Sequence, residues 1–505
     1  MKMTYQNLCE YIKSQNTNLV TDSRKVQEND VFIFMPLALS SHKKVQYPPI
    51  TYISDAIKNG AKYIVLTKEN YQILEQENIV IDTINYILVD NVRSSLGELA
   101  SIYYETQNYP IPVIAIVGTN GKTTSSYLLE HLYKESGKEV AVLGTVSYHW
   151  KNHFEDAPLT TPDCLTLHKA LAEIKKAQCD AVIMEVSSHA IDQNRVAGIA
   201  FDGAIFTNLT QDHLDYHETM ENYFEAKAKL FTSMPKATKV MSIFGNDEYG
   251  KRLIELCKTA HPFYLHTKGK ADCSCLDCSS PIMHGQLLKN TPQGLVIQHC
   301  YNGKKWELHS QLVGEHNACN ILGVECLALQ LGFSIDDMQK LTNFSGVPGR
   351  LERIFDEKNN VNYFVDYAHT PDALIHAQDA LRKAGFTRII TVFGCGGDRD
   401  RTKRPLMGKA VAEASDIVIL TSDNPRTENP EQILDDIMPG LKNAKEIHRI
   451  ANRKEALHFA VKTAQSGDAV LIAGKGHETY QIIGTTKHHF SDQEIIMEEI
   501  NANNN

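Results

Sequence analysis

Val113-Ile114-Ala115-Ile116-Val117-Gly118-Thr119-Asn120-Gly121-Lys122-Thr123-Thr124 decides the architecture of this chain. Five apolar residues read as a buried strand, the glycine-bearing residues after them as a loop, and Ser125 to Lys134 as a helix. In that order the loop turns its backbone N–H groups inward and the helix adds the partial positive charge of its N-terminus, a combination that binds phosphate. Lys122 then reaches the β and γ phosphates, and the Thr123 hydroxyl is the expected ligand to Mg2+. The strict pattern G-x-x-x-x-G-K-[ST] has glycine where this chain has Ile116, so the loop is a variant of the usual one. Gly118, Thr119, Asn120, Gly121, Lys122, Thr123 and Thr124 are the expected binding residues for ATP or another nucleoside triphosphate.

Downstream of the loop, apolar runs recur at Val140 to Leu143, Ala181 to Met184 and Ala204 to Phe206, each followed by polar residues. Strands alternating with helices imply parallel βαβ units. Upstream, short runs at Val31 to Met35 and Tyr63 to Leu66, with a helical stretch at Ser95 to Tyr104, read as a small α/β domain. The polar, proline-bearing stretch Thr106 to Pro112 reads as a linker. After the helical stretch Asn317 to Gly332, Val347-Pro348-Gly349-Arg350 breaks the pattern, and strands follow at Tyr363 to Val365, Ile389 to Phe393, Ile417 to Leu420 and Ala469 to Ala473. The expected fold is α/β in three domains. A small N-terminal α/β domain (1–108) and a C-terminal Rossmann-like domain (345–505) flank a central P-loop parallel-sheet ATPase domain (109–344). Ligands of open parallel sheets collect at the carboxyl ends of the strands, so the residues there are the functional candidates.

Composition narrows the classes. With 505 residues, the chain is too long for a single core. A net charge of −10 argues against a nucleic-acid scaffold, and anionic substrates then need local basic pockets such as Arg399, Arg401, Lys403 and Arg404. No apolar run is long enough for a membrane span, and Met1 to Asn16 lacks the order of a signal peptide, so a cytoplasmic location is expected. The 11 scattered cysteines fit reduced thiols. Cys273, Cys275 and Cys278 cluster, but with no second CxxC or His pair they read as a surface loop rather than a metal site.

The strand Ala181 to Met184 ends in Glu185-Val186-Ser187-Ser188-His189, and Ala204 to Phe206 is followed by Asp212-His213-Leu214-Asp215 and then Glu225-Ala226-Lys227. A carboxylate and an imidazole at neighbouring strand ends beside a phosphate loop suit a Mg2+ site. Together with Gly118 to Thr124, and in this order, these motifs resemble the Mur ligase family of ATP-dependent amide-forming enzymes. The resemblance implies that Lys227 is carbamoylated, which converts a cation into a carboxylate-like ligand. It further implies a metal environment of Thr123, Glu185, His213 and modified Lys227, with Lys122, Lys227, Glu185 and His213 as the catalytic group.

In the C-terminal part, three strands run into Gly394-Cys395-Gly396-Gly397-Asp398-Arg399-Asp400, Asp423-Asn424-Pro425-Arg426 and Gly474-Lys475-Gly476-His477-Glu478. Within the family these motifs resemble those of the members that add a third residue to UDP-N-acetylmuramoyl-L-alanyl-D-glutamate (UDP-MurNAc-L-Ala-D-Glu). The Asp-Asn-Pro-Arg form implies meso-2,6-diaminopimelate (meso-diaminopimelate) rather than L-lysine. A planar arginine fork grips the extra distal carboxylate of diaminopimelate, whereas lysine would leave that arginine unpaired. By the same resemblance Arg399 and Arg426 bind the carboxylate, Asp423, Asn424 and Pro425 shape the pocket, and Gly474 and Glu478 receive the distal amino-acid end. For the UDP-muramoyl dipeptide the resemblance implies Thr21, Ser23, Thr160, Thr161, Ser187, Gln193 and Arg195. The chain departs from the family pattern at Pro36 to Ser40, which lacks the usual glycine-rich uridine loop, and at Leu159, where asparagine is frequent. The implied partners are small molecules only, with no nucleic acid, no membrane span and a monomeric chain. The rivals are an L-lysine-adding ligase, a folylpolyglutamate-synthetase-like ligase, and a nucleotide switch that performs no ligation.

Overall fold

The computed structural model describes residues 5–14, 17–79, 84–234, 238–267 and 281–504. They fall into two compact units, Met1–Tyr264 with Gly323–Phe333 and Leu265–Leu322 with Ser334–Asn505.

The first unit opens with four parallel strands, β1 (Leu19–Val20), β2 (Val31–Ile33), β3 (Tyr63–Leu66) and β4 (Asn85–Leu88), adjacent in chain order. Successive residues of a strand point to opposite faces, and both faces here are covered. Val31, Ile33, Tyr63 and Val65 therefore join Leu8, Ile12 and Leu99 in one core, while Phe32, Phe34, Ile64 and Leu66 join Ile53 and Ala56 in another.

The larger sheet of this unit contains β5 (Val113–Val117), β6 (Val140–Leu143), β7 (Ser147–Trp150), β8 (His153–Asp156), β9 (Ala181–Glu185), β10 (Gly203–Phe206), β11 (Val240–Phe244) and β12 (His261–His266). Their order is β12-β11-β10-β5-β9-β6-β7-β8, parallel from β12 to β6. Every residue of β5 is buried, as an all-apolar run demands of a central strand. Because β5 lies between β9 and β10, the loops after these three strands converge. The register sets Ile116 opposite both Glu185 and Ile205, which places the Glu185 carboxylate level with the start of the phosphate loop. The expectation of purely parallel units missed β7 and β8, which pair antiparallel to β6 and to each other through a tight turn with Lys151 in the left-handed region.

The second unit begins with an antiparallel meander, β13 (Met283–Thr291), β14 (Gly294–Tyr301) and β15 (Lys304–Ser310), which strand-by-apolar-run reading passed over because its residues alternate with polar ones. A six-stranded sheet follows: β16 (Glu352–Asp356), β17 (Val361–Asp366), β18 (Ile389–Phe393), β19 (Ile417–Leu420), β20 (Ile447–Arg449) and β21 (Ala469–Ala473), in the order β16-β17-β21-β18-β19-β20. Only β16 runs antiparallel. A hairpin, β22 (Tyr480–Ile483) and β23 (Thr486–His489), stands apart from it. The carboxyl ends of β18, β19 and β21 are adjacent, so the three motifs that follow them meet.

Seven of the described cysteines are free thiols, as expected of a reduced protein, whereas Cys300 is disulfide-bonded and departs from that expectation. Cys273, Cys275 and Cys278 lie outside the described residues. Among the described residues no helix is long and apolar enough to cross a membrane.

Candidate active site

The phosphate loop joins β5 to the helix Lys122–Glu135, whose N-cap is Gly121 in the left-handed region (φ 86°), a conformation without penalty for glycine. Asn120 N–H is held by the Asn208 side chain (3.0 Å), Thr119 N–H by the Asn208 carbonyl (3.0 Å), and the Thr207 hydroxyl donates to the Asn120 carbonyl (2.6 Å). The loop following β10 thus ties down the phosphate loop, with the Thr119 and Asn120 N–H groups engaged by Asn208. Lys122 folds back so that its ammonium donates to the carbonyls of Gly118 (3.1 Å) and Thr119 (2.8 Å).

Glu185 is fully buried at the end of β9. Its carboxylate accepts from the hydroxyls of Thr123 (3.0 Å) and Thr145 (2.9 Å) and from Thr145 N–H (3.0 Å). Thr160 lies 3.2 Å from the Thr145 hydroxyl, and Thr161 donates to the Glu185 carbonyl (2.9 Å) while accepting from Ser187 N–H (3.0 Å). A hard oxygen cluster of this kind suits Mg2+.

Lys227 comes from the middle of the helix Met220–Thr232 and is 1% exposed. Its ammonium donates to the Gly118 carbonyl (2.8 Å) and stands 4.6 Å from the Tyr223 ring centre. Burial, with the Lys122 charge nearby, pushes its pKa well below the usual lysine value, which favours the neutral amine. His213 caps the short helix Leu214–His217 in the left-handed region (φ 53°) beside Asp212 (3.4 Å). Thr123 and Glu185 touch, but among the described residues no three His, Cys, Asp or Glu side chains converge as a metal-binding group.

Sequence reading gave no role to two further histidines. His189 lies edge-on to His213 (4.9 Å between centres) and 5.5 Å from His217, and His217 is buried with its Nε2 2.9 Å from the Ser188 hydroxyl. Burial pushes both imidazoles down to about 4, so both are neutral near pH 7. The four-residue spacing of His213 and His217 was the available signal.

Gln193 and Arg195 form one unit: the Gln193 carbonyl accepts from Arg195 Nε (3.1 Å) and Nη2 (2.9 Å), and Arg195 Nη1 reaches the Thr161 carbonyl (3.3 Å). This brings Thr160, Thr161, Ser187, Gln193 and Arg195 together. The loop lacking glycines, Pro36 to Ser40, is fixed by other means. Tyr216 hydroxyl lies 3.1 Å from the Leu39 carbonyl and 3.0 Å from Asp192, and Ser41 donates its N–H to Asp192 (2.8 Å). Burial alone would raise the Asp192 carboxyl, but the Ser41 and Tyr216 hydrogen bonds hold it below the usual range. Thr21 is exposed and Ser23 buried in the turn after β1, which Asp22 closes by accepting from Arg24 N–H (3.1 Å).

In the second unit, Arg426 sits in the left-handed region (φ 52°), its N–H bonded to the Ile482 carbonyl (3.0 Å) and its carbonyl to Gly484 N–H (2.7 Å). The hairpin thereby aims its guanidinium at the glycine loop after β18, where Nη1 donates to the Gly397 carbonyl (2.8 Å). A Cβ on Gly396 would lie 2.9 Å from Arg426 Nη1 and 3.7 Å from Arg399 Cγ, so both arginines border the same spot. Asp423, Asn424 and Pro425 are buried, and Asn424 donates to Glu478 (2.9 Å). Gly474 (φ 114°) passes so near Asp423 that a Cβ there would lie 2.5 Å from its carboxylate. The seven residues expected to hold one amino acid thus sit in the loops that follow three adjacent strands.

Residues 116–328 match the Mur ligase middle domain, and residues 349–476 match the Mur ligase glutamate ligase domain. A UDP-N-acetylmuramoyl-L-alanyl-D-glutamate--2,6-diaminopimelate ligase of Lawsonia intracellularis is 46% identical over 96% of this chain and 96% of its own. One of the same description from Fusobacterium nucleatum is 41% identical over 95% and 93%. A solved structure of a ligase so described superimposes with a TM-score of 0.68 at 34% identity, covering 97% of this chain and 95% of that one. Such identity over nearly the full length, joined to a phosphate loop and a buried lysine in the first unit and an Asp-Asn-Pro-Arg turn in the second, means that the chain belongs to the Mur ligase family.

Proposed function

We propose that this chain is the ATP-dependent ligase that adds meso-2,6-diaminopimelate to the D-glutamate of UDP-N-acetylmuramoyl-L-alanyl-D-glutamate. It would act as a monomer in the cytoplasm during peptidoglycan precursor synthesis, with modules at 1–108, 109–344 and 345–505 for the UDP end, ATP and the amino acid. The observation that carries the reading is the Arg426 guanidinium, aimed by its bonds to Ile482 and Gly484 at the loop holding Arg399. A guanidinium beside the loop that carries a second arginine suits the distal carboxylate that separates diaminopimelate from lysine.

A D-glutamate carboxylate resists an amine because its charge repels the nucleophile and no good leaving group is present. Phosphorylation removes both obstacles. The carboxylate oxygen attacks the γ-phosphorus of ATP in line, ADP departs, and an acyl phosphate forms. The Lys122 ammonium, already turned over the loop, offsets charge spreading onto the transferring oxygens. Gln193, Arg195, Thr161 and Ser187 hold the muramoyl peptide against this end of the sheet. Asp423, Asn424, Glu478 and the two arginines hold the diaminopimelate, whose neutral amine then attacks the acyl carbon. The tetrahedral adduct collapses with loss of phosphate and leaves the amide. Holding the reactants together supplies much of the acceleration.

Thr123 and Glu185 are the residues fitted to hold Mg2+, which when bound neutralises phosphate charge. Lys227 would fit such a site only as its carbamate: a bare ammonium repels a cation, whereas burial lowers the lysine pKa and so favours the neutral form that can add CO2. His213 would complete that metal environment.

Phosphate release tests the proposal. It should require ATP, UDP-muramoyl dipeptide and diaminopimelate together, and ATP turnover without either co-substrate would refute ligation. Equal use of L-lysine would refute the amino-acid assignment, and electron density ending at Nζ of Lys227 in crystals grown with bicarbonate would refute the carbamate.

A further inference from the structure

Lys475 follows β21, between Gly474 (φ 114°) and Gly476 (φ 54°), and its side chain is completely buried. A buried ammonium is expensive unless each donor is used. Here Nζ donates to Asn424 Oδ1 (3.2 Å) and to Glu478 Oε2 (3.3 Å), and it lies 5.7 Å and 5.9 Å from the ring centres of Tyr480 and Phe490. Both acceptors are side chains of the proposed amino-acid pocket.

The neighbouring buried cation is employed differently. Arg453 pairs with Asp492 (2.7 Å), both fully buried, and donates to the backbone carbonyls of Ser422 (3.3 Å) and Ala473 (3.0 Å). Arg453 ties strand end to strand end, a framework task. Lys475 instead ties one substrate-facing side chain to another.

Its effect on Asn424 is specific. An amide side chain can be turned over with little change of shape, so its hydrogen bonds decide which end is oxygen. Asn424 Oδ1 accepts from both Lys475 and Ile482 N–H (2.9 Å), which forces Nδ2 toward Glu478 Oε2 (2.9 Å). Oε2 is thereby occupied by two donors, and among the described residues Oε1 accepts no hydrogen bond.

We propose that Lys475 is a positioning residue for diaminopimelate: its buried ammonium fixes the Asn424 amide and the Glu478 carboxylate in the orientations that receive the amino-acid end of the substrate. This rests on the proposed reaction. An apolar residue at 475 would leave Asn424 Oδ1 held by Ile482 N–H alone and Glu478 Oε2 by the Asn424 amide alone.

The test is steady-state phosphate release by the full chain carrying Lys475→Met, Lys475→Gln or neither. With Lys475→Met the KM for diaminopimelate should rise about tenfold or more, while kcat falls less and the KM values for ATP and UDP-muramoyl dipeptide stay within about twofold. Lys475→Gln, which keeps a donor, should recover part of the loss. If Lys475→Met does not fold, Lys475→Gln carries the test alone, with a rise of at least about threefold expected. In a cycle with Glu478→Gln, the second substitution should add little to the first, and additive effects would overturn the proposal. An unchanged diaminopimelate KM, or equal changes for all three substrates, would also overturn it. Absence of diaminopimelate-dependent phosphate release by the unmodified chain would instead refute the reaction itself.

Discussion

Replacing Arg426 by alanine separates recognition from folding. Among the described residues the guanidinium makes one hydrogen bond, to the Gly397 carbonyl, which leaves its other donors for the proposed carboxylate. A charge-assisted hydrogen bond contributes about 1.5 to 3 kcal/mol, so loss of that pairing should lower kcat/KM for diaminopimelate by about 10- to 150-fold. The backbone offers a control. Arg426 pays for its left-handed φ of 52°, a cost of about 1 kcal/mol that glycine does not incur. Arg426→Gly should therefore lose as much activity as Arg426→Ala while unfolding at equal or higher urea concentration. Arg426→Lys keeps the charge without the planar fork and should recover only part of the loss. The assay is phosphate release at varied diaminopimelate and varied L-lysine with the other substrates saturating. If kcat/KM falls equally for both amino acids, or for neither, Arg426 does not select the distal carboxylate.

Other perturbations follow from the same contacts. His168 is buried with Nε2 3.0 Å from the Ala197 carbonyl and Nδ1 2.6 Å from the Thr106 hydroxyl, and burial pushes it from 6.5 down to about 4. The unfolded chain binds this proton first, so the neutral ring supports folding above about pH 6.5 and that support fades toward pH 4, by roughly 3 kcal/mol in all. His168→Gln should flatten the pH dependence of the urea midpoint across that window, and an unchanged slope would exclude His168 as its source. Arg453→Ala strands a buried Asp492 and should cost about 3 to 5 kcal/mol by urea unfolding, whereas removing both charges as Arg453→Met with Asp492→Leu should cost less than either single change. Gly474→Ala forces a Cβ to within 2.5 Å of the Asp423 carboxylate and should raise the diaminopimelate KM while sparing that for ATP. A uniform change in both would contradict the pocket assignment.

The phosphate loop and its strand were legible because their physics is local. An all-apolar run such as Val113–Val117 has one stable fate, a buried strand, and glycines before a helix N-terminus have few alternatives. The parallel strands carrying Glu185, Asp423 and Gly474 were read by the same rule. The meander β13–β15 was not, because one-face-exposed strands carry polar residues at alternate positions and lack a continuous apolar run. The pinning of the loop at Pro36 to Ser40 was also invisible. Its partners Asp192 and Tyr216 lie more than 150 residues away, and no spacing rule reaches that far.

The sequence by itself determined the α/β class, the triphosphate loop and the motifs at each strand end, since these follow from periodicity, glycine placement and side-chain chemistry over a few residues. Only the tertiary structure decided which motifs share a site. Strand order put β5 between β9 and β10, so that Thr123 meets Glu185, and set β18, β19 and β21 side by side, so that the motifs carrying Arg399, Arg426 and Glu478 follow neighbouring strands. It also buried Lys227 and Lys475, two lysines unremarkable in sequence. Burial is a property of what packs around a residue, and removal from water is what disfavours the charged form of Lys227 and what makes the two side-chain acceptors of Lys475 matter.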